Sequence, residues 1–358
     1  MKTSGMDVHA DSARPAPVRG RVIPAGRLAR AVALAPRIAL LDPESPLRSS
    51  NRVVVSAARL TSTDVAVVVL ARSGEAPSVV VKLPMNAKAA ARLEVEMATL
   101  QALHADNRLG RWRELVPRPL ASGTLRGQRY RVESALAGRS AAECSGSLQA
   151  RRGVLRTTAD MIAVLHRITA VSVRGDPALA GGWVDAHLEE LEPYLGRDRR
   201  LRLASARLGH ELHAVLEGGS YTASRIHGDY WLGNVLFTGP EPGRGALAGI
   251  VDWDASGPCE LPLHDLFHLV MYSRRLLSGR ELGAIVSEQL RTGDWPAETR
   301  LWPDRFAIWF PDALSPRHAL LLYWLRHVAM HTRQQSDSAG WRFKLWQRRN
   351  VLPVLEAL

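Results

Sequence analysis

Two carboxylates and one carboxamide stand close together in the second half of the chain. The run Ile226-His227-Gly228-Asp229 is followed, after four residues, by Asn234, which opens the apolar segment Asn234-Val235-Leu236-Phe237. A second acidic segment comes next, Gly249-Ile250-Val251-Asp252-Trp253-Asp254. Phosphoryl transfer from a nucleotide needs such parts: one carboxylate to orient and deprotonate a hydroxyl, and an amide with a second carboxylate to hold magnesium. Asp229 is the candidate catalytic base. Asn234 and Asp252 are the candidate metal ligands, because magnesium takes hard oxygen donors and uses only one or two protein carboxylates beside phosphate and water. A lone Gly-Asp pair is common in turns. What favours the functional reading is the asparagine five positions on, between flanks that read as short strands. Asp254 either supports this site or serves the turn.

His-Gly-Asp, the spaced asparagine and Ile-Val-Asp together resemble the aminoglycoside phosphotransferase and choline kinase-like family, which shares its fold with the protein kinases. The resemblance spans about residues 50–330, with motif-grade matches confined to short segments. It implies a bilobal, protein-kinase-like α+β fold with a small antiparallel-sheet N-lobe and a larger, mostly helical C-lobe. It also implies ATP as donor (GTP being the alternative), Mg2+, and a small-molecule hydroxyl acceptor: a sugar, amino sugar, aminoglycoside-like compound or amino alcohol. Lys82, in Val79-Val80-Val81-Lys82-Leu83, then reaches the α and β phosphates. A lysine inside a β-branched run is costly to bury unpaired. Its implied partner is a glutamate on the next helix. Glu94 and Glu96 both qualify, and Glu96 suits the family's spacing to a leucine, here Leu100. The segment Tyr130 to Gly138 resembles the hinge, with Glu133 and Ala135 nearest the adenine edge. His227 is expected to brace the loop, His166 to be structural, and Asp265 to hold the catalytic-loop backbone.

These residues need elements to position them. Residues 52–56, 65–70 and 78–83 read as strands from their β-branched content. Apolar residues recur at helical spacing from Ala87 to His104. Two further strands are expected near 121–125 and 128–134. After Gly138 the pattern turns helical: 154–168, 183–195, 201–216, 263–277, 281–290, 314–332 and 341–352, the last ended by Pro353. The segment from Ala57 to Thr63 contains no glycine, although glycine is what usually lets a phosphate-covering loop approach its ligand. That departure keeps a rival in view, a nucleotide-binding pseudokinase acting as scaffold or regulator.

A chain of 358 residues suits two domains. The expected division is a disordered leader at 1–24, a nucleotide-binding N-lobe at 25–137, and a helical C-lobe with catalytic loop and acceptor site at 138–358. The net charge of +12 favours anionic partners, yet only four lysines occur, Lys2, Lys82, Lys88 and Lys344. No arginine-aromatic block matches a nucleic-acid motif, so no nucleic-acid partner is expected. An acidic group, Asp185, Glu189, Glu190 and Glu192, reads as a solvated helix face rather than a rim for a polycation. Two cysteines, Cys144 and Cys259, fit a reducing cytoplasm. No apolar run is long enough to span a membrane. Peripheral contact through the basic, aromatic segment 341–349 is weighed against plain packing, which is preferred.

Overall fold

The computed structural model describes residues 25–41, 45–50, 52–143, 148–196, 198–239, 245–293, 314–334 and 340–358. The expected leader at 1–24 and Cys144 lie outside them.

Five antiparallel strands form the small lobe: β1 (Val53–Leu60), β2 (Val65–Arg72), β3 (Pro77–Pro84), β4 (Pro119–Leu125) and β5 (Gln128–Ser134), in the order β1-β2-β3-β5-β4. Their β-branched side chains fill the pleated inner face, where Val68, Leu70, Val79, Val81 and Val132 are buried together. Before β1 comes a helix, α1 (Ala25–Leu41), which carries Pro36 and buries Leu34, Ala35 and Ile38 against that sheet. β1 runs on through Leu60, so the turn into β2 is only Thr61 to Asp64. Helix α2 (Ala87–Ala105) is capped by Asn86, whose side chain accepts from Ala89 N at 2.8 Å and donates to Asp64 at 2.9 Å. The cap thereby ties the helix to the β1–β2 turn.

The second lobe is mainly helical: α3 (Leu148–Ile168), α4 (Pro177–Ala180), α5 (Ala186–Leu195), α6 (Arg199–Leu216), α7 (Leu263–Ser278), α8 (Leu282–Thr292), α9 (Pro316–Gln334), α10 (Trp341–Asn350) and α11 (Leu352–Leu355). The helix expected from Trp183 becomes regular only at Ala186, after a wider turn over Gly181–Asp185. Pro353 ends no helix; it lies in the first turn of α11, where a missing N–H costs nothing. Two small sheets, β10-β9-β6 and β11-β8-β7, are built from β6 (Arg139–Ser140), β7 (Val171–Arg174), β8 (Ser220–Ile226), β9 (Val235–Phe237), β10 (Leu247–Ile250) and β11 (Gly257–Glu260); the flanks of the Asp229 motif that read as short strands are β8 and β9, while β6, β7 and β11 went unread in the sequence. They frame the motifs. The His-Gly-Asp loop leaves β8, Asn234 leads into β9, and Asp252 follows β10 after Val251.

The arrangement is the bilobal, protein-kinase-like α+β fold. Among the described residues no helix is long and apolar enough to cross a membrane. In α10 Phe343 is buried and Trp346 stacks on His331 at 3.9 Å, so this segment packs on the lobe, with Trp341 left exposed. Asp185 contacts His213 at 2.7 Å and Glu190 contacts Arg333 at 3.8 Å, while Glu189 and Glu192 face solvent.

Candidate active site

A cavity of about 380 Å³ opens between the lobes, lined on one side by Ala57, Val67 and Lys82, and on the other by Leu236, Val251 and Asp252. Lys82 Nζ lies 2.6 Å from Glu96 Oε1 and 2.9 Å from Glu133 Oε1, all three side chains being buried. Burial alone would lower the Lys82 ammonium; the charges of Glu133, Glu96 and Asp252 outweigh it and hold the pKa well above its ordinary value. Of the two candidate helix glutamates, Glu96 meets the lysine. Glu94 pairs instead with Arg131 at the surface. Glu96 Oε1 also accepts from Trp253 N at 3.3 Å, which links α2 to the turn bearing Asp252.

Glu133 and Ala135, read as hinge residues, both line the cavity. Glu133 sits in β5 between β3 and β4, and its carboxylate is spent on Lys82. The Ala135 N–H donates to Ser78 O at 3.0 Å.

The loop around Asp229 is held from below. Asp265, fully buried at the start of α7, accepts from His227 N and Gly228 N at 2.8 Å each, and from His166 at 3.0 Å. His227 Nε2 donates to Val251 O at 3.0 Å, joining the two motif segments. Gly228 has φ +86°, and a Cβ there would stand 2.0 Å from Ala255 O, so only glycine fits the first turn of the motif. Arg326, a buried α9 residue with no counterpart in the sequence reading, donates to Gly228 O at 3.2 Å and Ala255 O at 3.0 Å while forking onto Glu260.

Asp229 keeps 31% of its side chain exposed. Burial would raise its carboxyl; contact with His268 outweighs that and holds it below the usual carboxylate range. Asn234 Nδ2 donates to Asp229 O at 2.9 Å and to Oδ2 at 3.2 Å. With Nδ2 so engaged, the amide oxygen is the atom left to ligate. The Asn234 carbonyl accepts from Val251 N at 2.9 Å, so Asn234 and the residue before Asp252 are hydrogen-bonded neighbours. Asp252 itself adopts φ 73° and ψ 61°, a left-handed conformation that favours Asp or Asn among side-chain-bearing residues. Asp254 lines the cavity and is paired with Arg92 of α2, which bridges the two lobes. An amide oxygen and a carboxylate are hard donors of the kind magnesium takes, completing its shell with phosphate and water.

The sequence profile of the phosphotransferase enzyme family matches residues 60–301. Among solved structures, the chain is similar to an aminoglycoside-3'-phosphotransferase of type VIII, with 17% identity over 77% of this chain and 93% of that one, at a TM-score of 0.47. It is similar to an aminoglycoside phosphotransferase from Streptomyces rimosus solved with ADP and streptomycin, with 17% identity over 82% and 98%, at a TM-score of 0.44. It is similar also to a choline kinase from Cryptosporidium parvum, with 11% identity over 92% and 94%, at a TM-score of 0.45. No curated protein sequence matches it at a significant level.

Proposed function

We propose, for a chain that belongs to the phosphotransferase enzyme family, the transfer of the γ-phosphate of ATP to a hydroxyl of a small molecule. The observation that carries this reading is the meeting of Lys82, Glu96 and Asp252 on one cavity, with Asn234 bonded both to Asp229 and to the strand before Asp252. Residues 25–137 would hold the nucleotide and 138–358 the acceptor. The acceptor oxygen bonds to Pγ, the bond from Pγ to the β,γ-bridging oxygen breaks, ADP leaves, and the hydroxyl proton passes to Asp229. A carboxylate as weakly basic as Asp229 suits a loose transition state, in which alignment matters more than early proton removal. Lys82, held by Glu96, orients the α and β phosphates. Asn234 and Asp252 would hold Mg2+, which when bound neutralises phosphate charge.

For the acceptor, the net charge of +12, with Asp185 engaged by His213 and Glu190 by Arg333, favours a neutral or anionic hydroxyl compound over a polycation. The test is ATP calorimetry with and without magnesium, followed by phosphorylation of a panel of hydroxyl compounds. Asp229→Asn is expected to bind ATP normally and to lose about a hundredfold or more in turnover; equal turnover would sink the assignment. The glycine-free turn at Thr61 to Asp64 motivates the second reading, a pseudokinase scaffold, for which ATP binds and no acceptor is phosphorylated.

A further inference from the structure

His268 lies on α7 with 1% of its side chain exposed, beside the one carboxylate that must be aimed. Its Nε2 stands 2.9 Å from Asp229 Oδ1. Its Nδ1 lies 3.0 Å from the Tyr323 hydroxyl on α9. A carboxylate only accepts, so the nitrogen facing it carries the hydrogen. In the neutral ring that leaves Nδ1 an acceptor, and the Tyr323 O–H donates to it. Burial raises the Tyr323 hydroxyl well above its ordinary pKa, so this proton stays on oxygen. The ring is walled by Tyr272 at 5.1 Å and stacked on His327 at 4.8 Å, which restricts its rotation.

The terminal torsion of an aspartate is soft. Asn234 restrains Asp229 Oδ2 from one side at 3.2 Å. His268 is the group that meets Oδ1 from the other. The contact is a close approach and not an aligned hydrogen bond, and catalytic contacts of this kind commonly tighten only in the substrate complex. The geometry points to His268 as the positioning residue that sets the rotation of the Asp229 carboxylate, with Tyr323 fixing the tautomer that lets it do so. The inference rests on Asp229 being the group that receives the acceptor proton.

Three variants test it: His268→Phe removes the contact, His268→Gln returns an N–H near the place of Nε2, and Tyr323→Phe frees the tautomer. ADP release from MgATP with water as acceptor, MgATP affinity and melting temperature are measured on each, beside Asp229→Asn. His268→Phe is expected to lose about tenfold to a hundredfold in turnover at unchanged MgATP affinity. His268→Gln should regain most of that loss, and Tyr323→Phe should fall between. A glutamine variant no better than phenylalanine reduces His268 to packing and overturns the proposal. A wild-type rate in His268→Phe beside an inactive Asp229→Asn also overturns it, leaving the wider reading intact. Turnover in Asp229→Asn overturns the wider reading instead. An independent measurement needs no turnover. Nitrogen-15 NMR of histidine-labelled protein should show the His268 resonance, identified by its loss in His268→Gln, as the Nε2–H tautomer and shifted in Asp229→Asn. A neutral Nδ1–H form would overturn the assignment.

Discussion

Lys82 meets two buried carboxylates rather than one, and the excess negative charge falls on Glu133. Burial raises the Glu133 carboxyl, Lys82 pulls it down, and Glu96 raises it again, leaving it pushed up to about 7 from an ordinary 4.5. The protonated form is therefore favoured by the fold. Between these two values the folded chain binds more protons at Glu133 than the unfolded chain does, so stability falls as pH rises. The contribution is complete below 4.5 and is lost as pH passes through about 7. Replacement by Gln, which is neutral at every pH, should flatten this fall. Urea unfolding midpoints of wild type and Glu133→Gln, taken from about pH 5 to about pH 8, measure it. Parallel curves would mean that Glu133 stays ionised throughout. In the sequence, Glu133 was legible only as a hinge position. Nothing in Tyr130-Arg131-Val132-Glu133 says that its side chain crosses to Lys82, because that depends on the β3–β5 register.

At the scale of elements, the His-Gly-Asp loop is a junction between α7, α9 and two small sheets. Asp265 bonds its N–H groups from α7, and Arg326 bonds its carbonyl from α9. Removing the guanidinium strips Glu260 of its partner and leaves two carbonyls, at Gly228 and Ala255, without donors. Arg326→Met should cost about 3–5 kcal/mol, the usual result of breaking one half of a buried ion pair. Arg326→Lys keeps charge but not the fork, so it should recover only part of that. Thermal denaturation with turnover decides: a fully stable methionine variant would refute the brace. The elements themselves were legible in unequal measure. The strands β2 and β3 and the helix α2 are long and strongly patterned, so their local signal matches their tertiary role. Strands of two to four residues such as β6, β7 and β11 have no such signal, since pairing alone makes them strands. Arg326 and His268 serve a loop far away in sequence. The one clue to either was a cationic or imidazole side chain inside an apolar helical run, Leu320-Leu321-Leu322-Tyr323-Trp324-Leu325-Arg326 and Leu266-Phe267-His268-Leu269.

For the whole molecule, the cavity between the lobes would make binding of the proposed nucleotide a matter of joint stability. Val67, Lys82 and Glu96 belong to one lobe, Leu236 and Asp252 to the other, and a ligand touching both favours the docked arrangement. The chain carries bridges across this gap from Glu96 to Trp253 and from Arg92 to Asp254. Neither uses the turn from Thr61 to Asp64, proposed to cover the phosphates. That turn is stiffened without glycine: Thr61 and Thr63 hydroxyls meet at 2.9 Å, Val65 N donates to Thr61 Oγ1 at 3.1 Å, and Asn86 holds Asp64 at 2.9 Å. Small residues at Ala57 and Ala58 line the cavity behind it, giving a ligand room where glycine would ordinarily provide it. A preformed turn loses little entropy on binding, so MgATP should stabilise the chain by the ordinary mass-action amount, about 2.7 kcal/mol at a hundredfold excess over Kd. The melting temperature should rise by a few degrees with MgATP and by less with ATP alone. In Asp252→Asn the difference between the two should shrink, because one magnesium donor is weakened while Lys82 still meets the phosphates. A shift independent of magnesium in the wild type would remove Asn234 and Asp252 from the metal site, and with them the alignment on which transfer to a hydroxyl depends.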